Sequence, residues 1–232
     1  MGRDNSISYF KIFFLFSFFS HLIILYWIPN VMVYYGGMNR FLGIFGLIIL
    51  SAYISLFYGL SGLVIKKVLR SDISALLIIP SAWICKDLIL EKLFGGFPWE
   101  FAGYSQYKNT YFTQITELGG IHLISFIIIF LNITLYLFLK NRNKKYIISF
   151  ILILFSTYTS GFFLYKRDLS LEHGLLKTRV GIIQPNTGQN FSGYKKWKRA
   201  TLNGLFEESI KLKKEGADFV IWPEYSIGLA PL

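Results

Sequence analysis

The chain has 232 residues, of which 53% are hydrophobic, 19% aromatic and only 16% charged, with a mean hydropathy of +0.48, a balance that excludes an ordinary soluble domain. The formal charge of +11 would suit a nucleic-acid binder. Many of the basic residues, however, gather at the ends of apolar runs, where membrane topology and anionic headgroups account for them, so no nucleic-acid partner is expected.

Five apolar stretches follow in order: Ile12–Ile28, Phe41–Ile65, Ile73–Leu90, Ile121–Leu139 and Tyr146–Tyr165. Each is near or above the roughly 20 residues that a bilayer core requires, so about five transmembrane helices are predicted. The first run is long, lacks a small-residue cleavage site and precedes further spans, which makes it an anchor rather than a signal peptide. The third carries Lys86 and Asp87, so it either ends early or is shielded by its neighbours.

Basic residues set the orientation. Arg3 and Lys11, then Lys66, Lys67 and Arg70, then Lys140, Arg142, Lys144 and Lys145 fall in alternate loops and mark the cytoplasmic side. The opposite loops, Asn30–Arg40 and Glu91–Thr116, are poorer in charge. Five spans starting inside place everything after Lys166 outside. The aromatics Tyr26, Trp27, Tyr34, Tyr35, Phe97, Trp99, Phe101, Tyr104 and Tyr165 all map to that outer boundary, where amphipathic rings prefer to lie.

After Tyr165 hydropathy falls abruptly, giving a domain boundary between 1–165 and 166–232. Arg179–Ile183 reads as a short strand stopped by Gln184-Pro185-Asn186. Trp197–Glu215 reads as a helix with an imperfect apolar stripe (Leu202, Leu205, Phe206, a gap at Ser209, then Ile210), ended by Gly216. Asp218–Trp222 is a second strand, and Pro223 forces Trp222 into extended geometry. Strand, helix, strand is a right-handed crossover, so the strands are expected to pair in parallel with Gln184 and Glu224 on one edge.

Glu224 therefore stands where open parallel sheets hold reactive groups. Beside Trp222 and Ile221 a carboxylate resists ionisation through desolvation, which suits a general base; on position alone, a merely solvated strand-end Glu is an equal reading. Cys85, the only cysteine, lies in an apolar span where packing as an inert thiol is expected, and it excludes an internal disulfide. His21, His122 and His173 share no ligand spacing, so neither a metal nor another cofactor is expected, and the two in or beside spans read as packing or interfacial residues.

Val180-Gly181-Ile182-Ile183-Gln184-Pro185-Asn186, the helix, and Val220-Ile221-Trp222-Pro223-Glu224 together resemble the opening of a nitrilase-type (carbon–nitrogen hydrolase) domain. Gly96-Phe97-Pro98-Trp99 with Gly103-Tyr104-Ser105-Gln106 resembles the periplasmic loop of the apolipoprotein N-acyltransferases. Tyr26-Trp27-Ile28 with Tyr35-Gly36-Gly37-Met38 is similar to the exit of an early span in the same family. The resemblance covers Tyr26 to Leu232. It implies a multi-pass protein of a bacterial inner membrane, its nitrilase-like part on the periplasmic side and of α-β-β-α sandwich type.

The implied reaction is ping-pong. A cysteine thiolate takes an acyl chain from a phospholipid donor and passes it to the α-amino group of a diacylglyceryl-cysteine apolipoprotein. Glu224 matches the family's base; the oxyanion-stabilising Lys and the Cys that stores the thioester come later in the family's domain and have no counterpart here. The resemblance also implies lipid access at Phe97, Pro98, Trp99 and Tyr104, for which interfacial anchoring is the plain physical alternative. Asp87 stands where the family has a Glu, and Leu90 near a usual Arg, which leaves a charge pair there unassigned. The family commonly has eight spans, two of them before the one ending in Tyr-Trp-Ile, so the chain reads as truncated at both ends and, alone, inactive. Two rival functions stay open: a membrane-tethered nitrilase-type amidase, and a non-catalytic remnant.

Overall fold

Five helices in the computed structural model are long and apolar enough to cross a membrane. The structure describes residues 6–93, 96–172, 178–184 and 194–223, and the chain divides into two units, Met1–Leu169 and Ser170–Leu232. The five are α1 (Ser6–Ile24), α3 (Arg40–Val68), α4 (Asp72–Lys92), α6 (Thr116–Asn141) and α7 (Lys144–Glu172), one for each apolar run in the sequence. The short α2 (Ile28–Tyr34) carries Pro29 in its first turn and α5 is a single turn, Thr110–Thr113. Proline within the first helical turn costs no hydrogen bond, which is why the first apolar run is cut into two helices.

Local capping fixes the other boundaries. Asn39 Oδ1 accepts from Phe41 N at 2.8 Å to start α3, and Ser71 with Ser74 forms a reciprocal capping box at the start of α4. Gly120, at φ 64°, breaks the first turn of α6 away from the membrane helix proper. Arg142 in the left-handed region ends that helix.

The first unit is packed inside out. Phe16, Ile23, Phe41 and Phe163 are exposed, as lipid-facing residues should be, whereas Ser17, Ser51, Ser55, Lys86, Asp87 and Ser125 are buried. α1 runs closely along α3 because small residues let the backbones approach. A Cβ on Gly59 would meet Phe10, and one on Gly62 would meet Phe13 and the Tyr9 carbonyl. Leu25, Leu47, Ile54, Tyr58 and Leu90 form the apolar core around this contact. α7 is held at one end by Tyr158, whose hydroxyl accepts from Asn109 Nδ2 at 2.5 Å, and by Arg167, which bonds Glu117 at 2.5 Å.

In the second unit β1 (Val180–Ile182) pairs in parallel with β2 (Phe219–Ile221), in the register Val180↔Phe219, Gly181↔Val220, Ile182↔Ile221. α8 (Tyr194–Lys214) connects them. Leu205 is fully buried and Leu212 lies over Gly181, so the packed stripe runs through Thr201, Leu205, Ser209 and Leu212. Phe206 and Ile210, which the sequence pattern assigns to that stripe, are half exposed. The apparent gap is filled: Trp222 Nε1 donates to Ser209 Oγ at 2.9 Å, and the Trp222 ring meets Phe206 edge-on at 5.3 Å.

Candidate functional site

α4 hands the chain to a loop that returns across its own end. Gly96 makes the turn at φ 82°, where a Cβ would fall 2.2 Å from the Glu91 carbonyl oxygen, and Phe97 N then donates to Leu90 O at 3.0 Å. Only glycine meets both conditions. The rings of Trp27, Trp99 and Phe97 stack in series, at 5.4 Å and 5.8 Å between centroids. A 3₁₀ turn over Ala102–Gln106 follows. Gly103 N in that turn donates to the buried Ser125 Oγ at 2.9 Å, and a Cβ on Gly103 would collide with Ile121. Phe101 is buried between Tyr104 and His122.

The four loop residues singled out from the sequence differ in exposure. Phe97 and Pro98 are half-buried, while Trp99 is 61% and Tyr104 45% exposed. Glu224 lies outside the described residues. The described part of its edge is Gln184 after β1 and Trp222-Pro223 after β2, with Ile183 N donating to Ile221 O at 3.1 Å.

Beneath the loop is a cluster of buried polar side chains that sequence spacing does not reveal. His21, 3% exposed, donates from Nδ1 to the Ser17 carbonyl at 2.6 Å, with Ser17 Oγ at 3.0 Å; Ser55 Oγ extends the chain to Ser17 Oγ at 3.0 Å. A carbonyl can only accept, so Nδ1 carries hydrogen and Nε2 faces outward. Nε2 lies 2.5 Å from Glu100 Oε2, although neither Glu100 oxygen has an aligned hydrogen bond. This joins α1 to the loop residue next to Trp99.

Lys86 and Asp87, buried at 4% and 2% exposure, pair with each other. The Lys86 ammonium also lies over the Tyr58 ring at 3.9 Å and near Trp83 at 5.1 Å, a cation–π cage that partly replaces hydration. Asp87 is therefore paired with its own neighbour on the same helix. Asp87 Oδ2 has no partner, and the void it shares with Glu100, Tyr58 and Phe101 is about 10 Å³, the size of one water. A lipid headgroup does not fit there. Charges buried in a membrane bundle are costly and mark function by default; here it is His21 that reaches the loop, at Glu100.

Two sequence readings need correction. Cys85 is exposed on the bundle surface rather than packed inside, because α4 turns about 100° per residue and Lys86 takes the inward face. His21 is a hydrogen-bonded member of the cluster rather than plain packing. His122 Nε2 meets Glu91 Oε2 at 3.0 Å, tying the end of α4 to α6. Among the described residues no three His, Cys, Asp or Glu side chains converge to hold a metal ion.

Residues 2–134 match the family described as "Apolipoprotein N-acyltransferase N-terminal domain". A protein of that name from Geobacter metallireducens is 25% identical over 96% of this chain and 44% of its own length. Those from Coxiella burnetii and Wigglesworthia glossinidia brevipalpis are each 28% identical over 88% of this chain, and over 42% and 40% of their own lengths. The chain therefore spans about two fifths of the relatives it matches.

Proposed function

The chain belongs to the apolipoprotein N-acyltransferase family, and on that premise we propose that it serves the transfer of an acyl chain from a phospholipid to the α-amino group of a diacylglyceryl-cysteine apolipoprotein. The bundle is a multi-pass membrane domain; the second unit is read as the opening of a nitrilase-like domain on the periplasmic side of a bacterial inner membrane. The orientation rests on the basic loops. Asp72, at the start of α4, meets Lys140 at 3.5 Å and Asn141 at 2.6 Å, so the turns bearing Lys66–Arg70 and Lys140–Lys145 lie together at one end. Labelling a cysteine placed at Asn143 from outside the cell with an impermeant reagent is the contrary result.

The reaction proceeds through two acyl transfers. A thiolate attacks the donor's ester carbonyl, the tetrahedral intermediate expels the glycerol oxygen, which takes up a proton, and the lysophospholipid leaves. The acceptor amine then attacks the thioester, loses a proton and returns the thiol. Glu224 is assigned as the base that takes the thiol proton. Cys85 is not that thiol, because it stands on the membrane-facing surface of α4, and the sequence has no second cysteine. The observation that carries this reading is the joining, in one chain, of a family-matched bundle to a parallel β-α-β unit whose second strand leads directly into Glu224. The exposed rings of Trp99 and Tyr104 support a lipid-facing loop, and the His21–Glu100 and Gly103–Ser125 contacts hold it rigid.

The test uses the full-length protein carrying this segment, in vesicles of alkyne-labelled phosphatidylethanolamine with a diacylglyceryl-cysteinyl peptide. Triacylated peptide and lysophospholipid should appear in equal amounts. Hydrolysis of a small amide instead would support an amidase, and neither product would support a non-catalytic protein.

A further inference from the structure

α3 and α4 pack less closely than α1 and α3, and a groove of about 430 Å³ opens between them, within the roughly 300–1,000 Å³ range of ligand pockets. Its walls are apolar: Leu60, Val64 and Val68 on α3 face Ile78, Ala82 and Ile89 on α4. Four polar side chains also line it: Ser81 and Cys85, both exposed, and Ser61 and Lys86. Ser61 Oγ donates to the Phe57 carbonyl at 2.8 Å. Lys86 offers only its methylene stem, since its ammonium is held by Asp87 and Tyr58.

The groove runs along α3 from Phe57 to its last residue, Val68, and along α4 from Ile78 to Ile89. Its Val68 end is the end of the bundle opposite the Trp99 loop, which follows the far end of α4. Lys67 immediately precedes Val68, and Arg70 follows in the turn; both are exposed. Lys66, by contrast, is directed toward the Tyr9 ring at 5.4 Å. Among the described residues the carboxylate at this end is Asp72, and it is engaged by Lys140 and Asn141 rather than by Lys67 or Arg70. An apolar slot with one end beside two exposed cations at a bilayer surface matches one class of molecule in shape and charge.

We propose that the α3–α4 groove seats an acyl chain of an anionic phospholipid whose phosphate is held by Lys67 and Arg70. This lipid is distinct from the acyl donor, because it belongs to the leaflet at the basic end of the bundle while the aromatic loop is at the other. The assignment does not depend on acyl transfer. Its chain also packs on the stem of Lys86, so occupancy supports the buried Lys86–Asp87 pair from the lipid side.

Photo-crosslinking of the full chain in vesicles of phosphatidylethanolamine containing a trace of phosphatidylglycerol with a diazirine in one acyl chain tests this. Adducts should concentrate on residues 57–68 and 78–89, in excess over those from phosphatidylcholine carrying the same diazirine. Removing the charges in Lys67→Gln and Arg70→Gln should lower that preference by about fivefold each, from the roughly 1 kcal/mol that a basic residue contributes near an anionic surface; Lys67→Arg should retain it. Ala82→Phe, which fills the groove, should displace adducts without altering headgroup preference elsewhere. Because Lys67 and Arg70 are exposed, their variants remain informative if Ala82→Phe does not fold. Adducts spread evenly over the exposed faces of α1 and α7, or equal labelling by both headgroups, would overturn the proposal.

Discussion

The membrane bundle and the α/β unit place charge in opposite ways. In the bundle, Lys86, Asp87 and His21 are inside and Phe16, Ile23 and Phe163 outside; in α8, Leu205 is inside and Lys211, Lys213 and Lys214 are outside. The difference follows from the surroundings. A helix in water buries its apolar stripe for the hydrophobic gain. A helix in lipid gains nothing by hiding leucine, and its polar groups must find each other. Glu100 shows the second rule at the bundle's edge, where a loop carboxylate is drawn in to His21.

The sharpest way to break this contrast is to strip one partner from the buried pair. Lys86→Ala or Asp87→Ala is expected to cost roughly 3–5 kcal/mol, since each leaves an uncompensated buried charge. The double change Lys86→Met with Asp87→Leu should recover most of that stability in thermal unfolding in bicelles. Single variants as stable as the parent would show that the pair is hydrated and the inversion superficial. A smaller effect is expected at the loop. In a double-mutant cycle, His21→Ala and Glu100→Ala should couple by about 0.5–3 kcal/mol, and either change should loosen Trp99, read as increased acrylamide quenching in a variant retaining Trp99 as sole tryptophan. Additive losses with unchanged quenching would separate the buried cluster from the loop. The smallest effect belongs to the α/β unit. Trp222→Phe keeps the edge contact with Phe206 but loses the bond to Ser209, a loss of about 0.5–1.5 kcal/mol. A loss as large as that at Lys86 would mean that the unit also depends on buried polar groups.

Much of the bundle was legible because hydropathy integrates over twenty residues, and each apolar run corresponds to one long helix. Boundaries were less so: Ile12–Ile28 spans α1, a turn and the start of α2, because a run of apolar residues does not register Pro29. The parallel β1–β2 pairing followed from the crossover rule. The helix face did not, because Phe206 and Ile210 are as hydrophobic as Leu205 and only the register of α8 on Gly181 separates them. The buried cluster was hidden for a related reason. His21 and Glu100 are far apart in sequence, and no spacing rule connects a residue of the first span to the loop after the third. Lys86 and Asp87 inside a span were the visible sign; which way each side chain turned depended on the helix phase that also puts Cys85 on the surface.

The proposed function has the second unit supply a catalytic base, Glu224, to a membrane-anchored acyl transfer. Its most direct measurement is acyl-thioester formation in the full-length protein carrying Glu224→Gln, using labelled phosphatidylethanolamine and quantifying the acyl-enzyme after rapid denaturation. The amide keeps the shape of the side chain but cannot accept the thiol proton, so the rate should fall about 10²–10⁴-fold while the protein stays in the membrane at its normal level. An acyl-enzyme forming at the parent rate would contradict the assignment.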